Sequence, residues 1–160
     1  VTTLVAIDGV LRAATGNPIR EGKTLLEGLK RIGPVVLLAN KSIAEAEHWL
    51  RTNNIIYDNL LGKEVAEDET SNELRRRQVA LERSRGRIDF FVDGDPSNVA
   101  WAVSEGICSL LFAHPQFAAP VSRRDSNKGR RSWDDIQAEI DRRQKVALEV
   151  TTQEDVDAGL

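Results

Sequence analysis

The chain has 160 residues, of which 41% are hydrophobic and 29% charged, and its net charge is −3. That length suits one domain with a single buried core, and the composition is ordinary for a globular protein. So small a charge gives no bulk attraction to nucleic acid or an anionic membrane, the apolar runs are too short to span a bilayer, and the lone Cys108 excludes both an intrachain disulfide and a cysteine-based zinc cluster.

The N-terminal segment VTTLVAIDG lacks the basic stretch, greasy core and cleavage site of a signal peptide, and no methionine occurs. A cytoplasmic location is the matching expectation. Thr3 to Ile7 reads as a short buried strand ending at Asp8. Lys23 to Ile32 puts Leu25, Leu29 and Ile32 on one helical face, and Gly33-Pro34 stops the helix. Val35 to Ala39 is a second apolar run, ending at Asn40. Ser42 and Glu45 have the spacing of a capping box, and the helix after them presents Ile43, Ala46 and Leu50. Ile55 and Ile56 are expected to seed a third strand. Thr70 and Glu73 form another capping box, ahead of a basic helix running to about Ser84. Ile88 to Val92 is a fourth strand, ending at Asp93. Asp95-Pro96 caps and starts a helix with Val99, Ala102 and Val103 inward, ended by Gly106. Cys108 to Ala113 is a fifth strand. Ser132 to about Ala147 is the last helix, with Ile136, Ile140 and Ala147 inward. Residues 149–160 are acidic and read as a flexible tail.

Strands alternating with helices predict an α/β fold: three α/β/α layers, Rossmann-like, around a parallel sheet of about five strands. Residues 1–148 form the expected single domain. Ligands in such sheets bind beyond the carboxyl ends of the strands. Those ends carry Asp8, Asn40 and Asp93, with Asp95 close behind. Each aspartate alone reads as a turn or helix cap. Three acids converging at one edge would instead repel unless a cation sat between them, and hard oxygen ligands suit Mg²⁺.

Three segments carry a resemblance. Leu4-Val5-Ala6-Ile7-Asp8-Gly9-Val10-Leu11 resembles the first motif of the haloacid dehalogenase-like (HAD-like) superfamily, a strand leading into Asp-x-Asp-Gly. Val35-Val36-Leu37-Leu38-Ala39-Asn40 resembles the second motif, a strand ending in Ser or Thr. Phe90 to Asn98, with Asp93-Gly94-Asp95, resembles the acidic fourth. The likeness spans residues 3–113 with the motifs in order, and small HAD-like proteins of actinobacterial phages look similar through Leu110 to Pro115 and Trp133. The resemblance implies a HAD core without a substantial cap, and Mg²⁺ held by Asp8, Asp93 and Asp95. It also implies an acid/base role for Asp8, and phosphate contacts from Asn40 and Lys41. Lys63, Arg75 and Arg76 are alternative candidates for the third-motif cation.

Two positions depart from that scheme. Ala6 occupies the place of the nucleophilic aspartate, and Ala39 that of the phosphate-orienting Ser or Thr. A methyl group can neither attack phosphorus nor bind metal. If the register slips by two, Asp8 becomes the nucleophile, but Val10 then replaces the acid. Alternatively, Ala6 replaces a natural aspartate to trap a substrate, a change that would not need Ala39.

The expected function is therefore binding of a phosphate-containing ligand or a macromolecular partner without phosphatase activity. One alternative is a Mg²⁺-dependent phosphohydrolase using Asp8. Another is a structural or assembly role, in a phage particle or a homo-oligomer, leaning on Trp101, the last helix and the acidic tail. A membrane partner is not expected. Nucleic acid stays open through Arg75, Arg76, Arg77, Arg83, Arg85 and Arg87, although the absence of interleaved aromatics favours a solvated helix face. His48 reads as a surface or packing residue, His114 as a loop residue, and residues 121–131 as a basic surface loop.

Overall fold

Side chains alternate in direction along a strand, so a strand buried on both faces divides its residues between two cores. The computed structural model, in which residues 2–115, 136–138 and 140–145 are described, shows this division in its first four strands. Val5, Val35, Leu37, Leu60 and Val92 belong to one core cluster. Leu4, Val36, Leu38, Leu61 and Phe91 belong to the other. The strands are β1 (Thr3–Ala6), β2 (Val35–Leu38), β3 (Asn59–Leu61), β4 (Phe90–Asp93) and β5 (Ser109–Leu111). They form a five-stranded sheet in the order β3-β2-β1-β4-β5, and every pairing is parallel.

Helices cover both faces. Helix α1 (Arg20–Lys30) buries Leu26 and Leu29, and α2 (Ile43–Thr52) buries Ala46 and Leu50, all in the first cluster. Helix α3 (Ser71–Arg85) gives Val79, and α4 (Pro96–Ser104) gives Ala102, to the second. Each fully buried leucine or valine stabilises the fold by about 1.5–3 kcal/mol. The architecture is the expected three-layer, Rossmann-like α/β/α arrangement. The described part of the last helix covers residues 136–138 and 140–145. Ala147, Trp133, the 121–131 loop and the 149–160 tail lie outside the described residues. Among the described residues no helix is long and apolar enough to cross a membrane.

Several local expectations shift. The third strand is Asn59–Leu61, not Ile55–Ile56. Ile55 is buried where the chain leaves α2, its N–H bonded to the Leu50 carbonyl, while Ile56 is exposed. Pairing with β2 starts only at Val36↔Asn59. Ile32, Ile43 and Ile140 are exposed rather than inward. Leu26 takes the buried place on α1 beside Leu29, and Leu25 is only partly buried. The Thr70–Glu73 capping box forms with both reciprocal bonds. At α2 only the Ser42 half forms, with the Ser42 hydroxyl accepting from the Glu45 N–H. The N–H of Ile43, the first residue of α2, donates to Glu64, from the 3₁₀ turn Lys63–Val65, at 2.9 Å.

Candidate functional site

In this strand order β1 is the pivot. The chain runs outward from it to β2 and β3, then returns to β4 and β5 on the other side. The crevice between β1 and β4 is therefore where a ligand is expected. Gly9 turns the chain directly after Asp8 with a φ of 89°. Gly94 packs against it so closely that a Cβ there would lie 2.9 Å from the Gly9 carbonyl oxygen. Backbone thus meets backbone at the pivot. Polar groups gather in two places beside it, one among α3 and α4 and one beside α2.

The first is a buried cluster. Arg75 and Asp93 are each only 2% exposed. The Arg75 Nε donates to Asp93 Oδ2 at 3.2 Å, its Nη1 to Gln78 Oε1 at 2.7 Å and its Nη2 to Asn40 Oδ1 at 2.6 Å. Asn98 Nδ2 also donates to Asp93 Oδ2, and the Asp95 N–H donates to Asp93 Oδ1. Gln78 Nε2 donates to the carbonyls of Ala39 at 2.9 Å and Gly62 at 3.2 Å. One turn of α3 thereby ties together the ends of β2, β3 and β4. Burial pushes the Asp93 carboxyl above its ordinary value of 3.8, and Arg75 with the surrounding N–H donors only partly offsets that. Asn98 Oδ1 is buried with no hydrogen-bond partner among the described residues.

This arrangement decides how the expected acids are used. Both oxygens of Asp93 are met by N–H donors. Asp95 caps α4, its Oδ1 accepting from the Ser97 N–H and hydroxyl at 2.9 and 2.8 Å. Asp8 lies toward Arg12, 3.9 Å from its guanidinium. Among the described residues no three His, Cys, Asp or Glu side chains are grouped to hold a metal ion. As placed, the three acids face different partners, and Asp93 has Arg75 beside it as a cation.

The second place is an open pocket beyond β1 and β2. Ile7, Asp8, Arg12, Ala39, Lys41, Ala46 and Trp49 line about 210 Å³ of empty space that opens to solvent. Within it, about 10 Å³ admits the centre of roughly one water. Arg12 lies over the Trp49 ring, 5.8 Å from its centroid. The indole N–H donates to the Gly16 carbonyl at 2.8 Å, which fixes the ring under the arginine. Ala6 is fully buried, and Ala39 is 2% exposed. Lys41 is exposed and also borders a neighbouring groove with Asn40, Glu45, Lys63, Glu64, Glu67 and Asp68.

Of the predicted residues, Asp8 and Lys41 share the open pocket, whereas Asn40 and Asp93 belong to the buried cluster. No family model, no curated protein and no solved structure matches the chain. The site therefore rests on its own geometry. Of the three candidate third-motif cations, only Arg75 reaches Asp93. Lys63 borders the groove, and Arg76 lies over Trp101 at 5.5 Å. The basic run on and after α3 is largely matched by acids: Arg77 with Glu69, Arg83 with Glu105, Arg85 with Glu82 and Arg87 with Asp89. That pairing favours a solvated helix face. His48 is exposed, and His114 Nε2 lies 3.1 Å from Glu21. Sequence reasoning missed Arg12, Trp49 and Gln78. The available signals were the cation four residues after Asp8 and the i, i+3 spacing of Arg75 and Gln78 on one helix face.

Proposed function

We propose that this chain is a HAD-like domain that binds a phosphate-containing ligand without hydrolysing it. The observation that carries the reading is the chemistry of the strand-end pocket. Its rim offers the cations of Arg12 and Lys41, while Ala39 on its wall and Ala6 at the end of β1 present only methyl groups. Phosphoryl transfer depends on charge neutralisation and in-line positioning, and a covalent route also needs an acceptor atom. The pocket keeps a means of neutralising charge and lacks the acceptor at the first-motif position. The pivot of the strand order at β1, and the convergence of Arg75 on Asp93, support the superfamily reading beside the three sequence motifs.

The test compares the chain with its Ala6→Asp variant, each assayed for p-nitrophenyl phosphate hydrolysis and for Mg²⁺ binding. The native chain is expected to give no turnover with or without Mg²⁺. The aspartate variant is expected to gain Mg²⁺ affinity or turnover, provided circular dichroism shows that it has folded at this buried position. Mg²⁺-dependent turnover by the native chain, abolished by Asp8→Asn, would sink the proposal and establish Asp8 as the working group of a phosphohydrolase.

A further inference from the structure

We infer that Arg12 and Lys41 form a metal-independent site for the terminal phosphate of a small monophosphate, with Asp8 holding Arg12 in place until the ligand arrives. This rests on the phosphate-binding reading and specifies how the charge is met.

The donor set points away from a metal. Asp93 already accepts from Arg75, Asn98 and the Asp95 N–H, and Asp95 caps α4. Asp8 is the one expected acid that lines the open pocket. Its partner there is Arg12, at a separation too long for a tight ion pair, with both side chains about a quarter exposed. An arginine beside a pocket, loosely paired and braced on an indole face, is pre-positioned for an oxyanion. Lys41 supplies a second cation from the opposite strand end, so the lining carries two positive charges against the single charge of Asp8.

Size and surroundings narrow the ligand. The pocket has room for the centre of only about one water, which a single phosphate oxygen can replace. The rest of the phosphate then sits at the mouth, between the two cations. The adjoining groove sets Glu45, Glu64, Glu67 and Asp68 against Lys41 and Lys63, and is net acidic. A polyanion laid along it would be repelled. The fitting class is a small molecule with one terminal phosphate rather than a nucleic acid.

Binding is measured by isothermal titration calorimetry in EDTA, with inorganic phosphate and a 5′-phosphorylated oligothymidylate as probes. Arg12→Ala and Lys41→Ala should each weaken phosphate binding about tenfold or more, and Arg12→Lys should weaken it less. Asp8→Asn should strengthen it about two- to fivefold, because the competing carboxylate is gone. A gain of that kind cannot come from a misfolded variant. The oligonucleotide should bind no more tightly than inorganic phosphate. Phosphate binding untouched by Arg12→Ala and Lys41→Ala overturns this site and leaves the broader reading intact. Binding that needs added Mg²⁺, or that Asp8→Asn abolishes, replaces it with a metal site. Tighter binding of the oligonucleotide overturns the ligand class. An absence of phosphate binding in the native chain and in Asp8→Asn, with or without Mg²⁺, defeats both proposals.

Discussion

The buried Arg75–Asp93 pair offers the sharpest test of how this fold is held together. Each partner is 2% exposed, and each is bonded to further polar groups, Arg75 to Gln78 and Asn40, Asp93 to Asn98 and the Asp95 N–H. Removing one partner strands the other charge away from water, which typically costs about 3–5 kcal/mol. Arg75→Met and Asp93→Asn should therefore each destabilise by about that amount, lowering the melting temperature by roughly 6–20 °C in a chain of this length. The double variant leaves no isolated charge. Its loss should fall well short of the sum of the single losses, giving a coupling energy of about 2 kcal/mol or more. Urea unfolding, extrapolated linearly to water, measures all four proteins.

The sign of the pH effect follows from the raised Asp93 carboxyl. The folded state binds that proton more tightly than the unfolded chain does, so this group's contribution to stability is greatest below 3.8. It is lost as pH rises from there through the folded-state value. Arg75→Met removes the cation that holds the carboxyl down, so the variant should recover relative to the native chain as pH falls toward 4. The double variant should lack that recovery, since it has no carboxyl at position 93. Single variants that cost under about 1 kcal/mol, strictly additive losses, or an Arg75→Met deficit independent of pH would each refute the buried-pair reasoning.

Two further outcomes test the packing and the caps. Gly22→Ala should destabilise by about 1–3 kcal/mol although alanine is the better helix former, because its Cβ would stand 1.7 Å from the Val10 carbonyl oxygen; a raised urea midpoint would show that α1 does not press on that loop. Thr70→Ala should cost about 1 kcal/mol by opening the capping box of α3, and an unchanged urea midpoint would show that the box adds nothing measurable.

The elements and their order were legible in the sequence because they depend on short-range chemistry. A run such as Val35 to Leu38 is short, apolar at every position and follows Gly33-Pro34, as suits a strand covered on both faces. Thr70 with Glu73, and Asp95 with Pro96, announce helix starts through bonds made within a few residues. The third strand was misplaced because Ile55–Ile56 and Leu60–Leu61 are equally apolar, and only registry with β2 selects between them.

What the buried polar side chains face was decided by tertiary structure. Asp8, Asp93 and Asp95 look alike as acids at one sheet edge. Folding gives them an arginine four residues away, a buried arginine from α3 and a helix N-terminus respectively. Of Lys63, Arg75 and Arg76, only Arg75 has its guanidinium set against Asp93 by the placement of α3. Trp49 met Arg12, and Trp101 met Arg76, across elements far apart in the chain. Such pairings need two chain segments at a fixed distance. Periodicity and capping signals report only on neighbours along the chain, so the sequence could place the acids at the strand ends but not choose their partners.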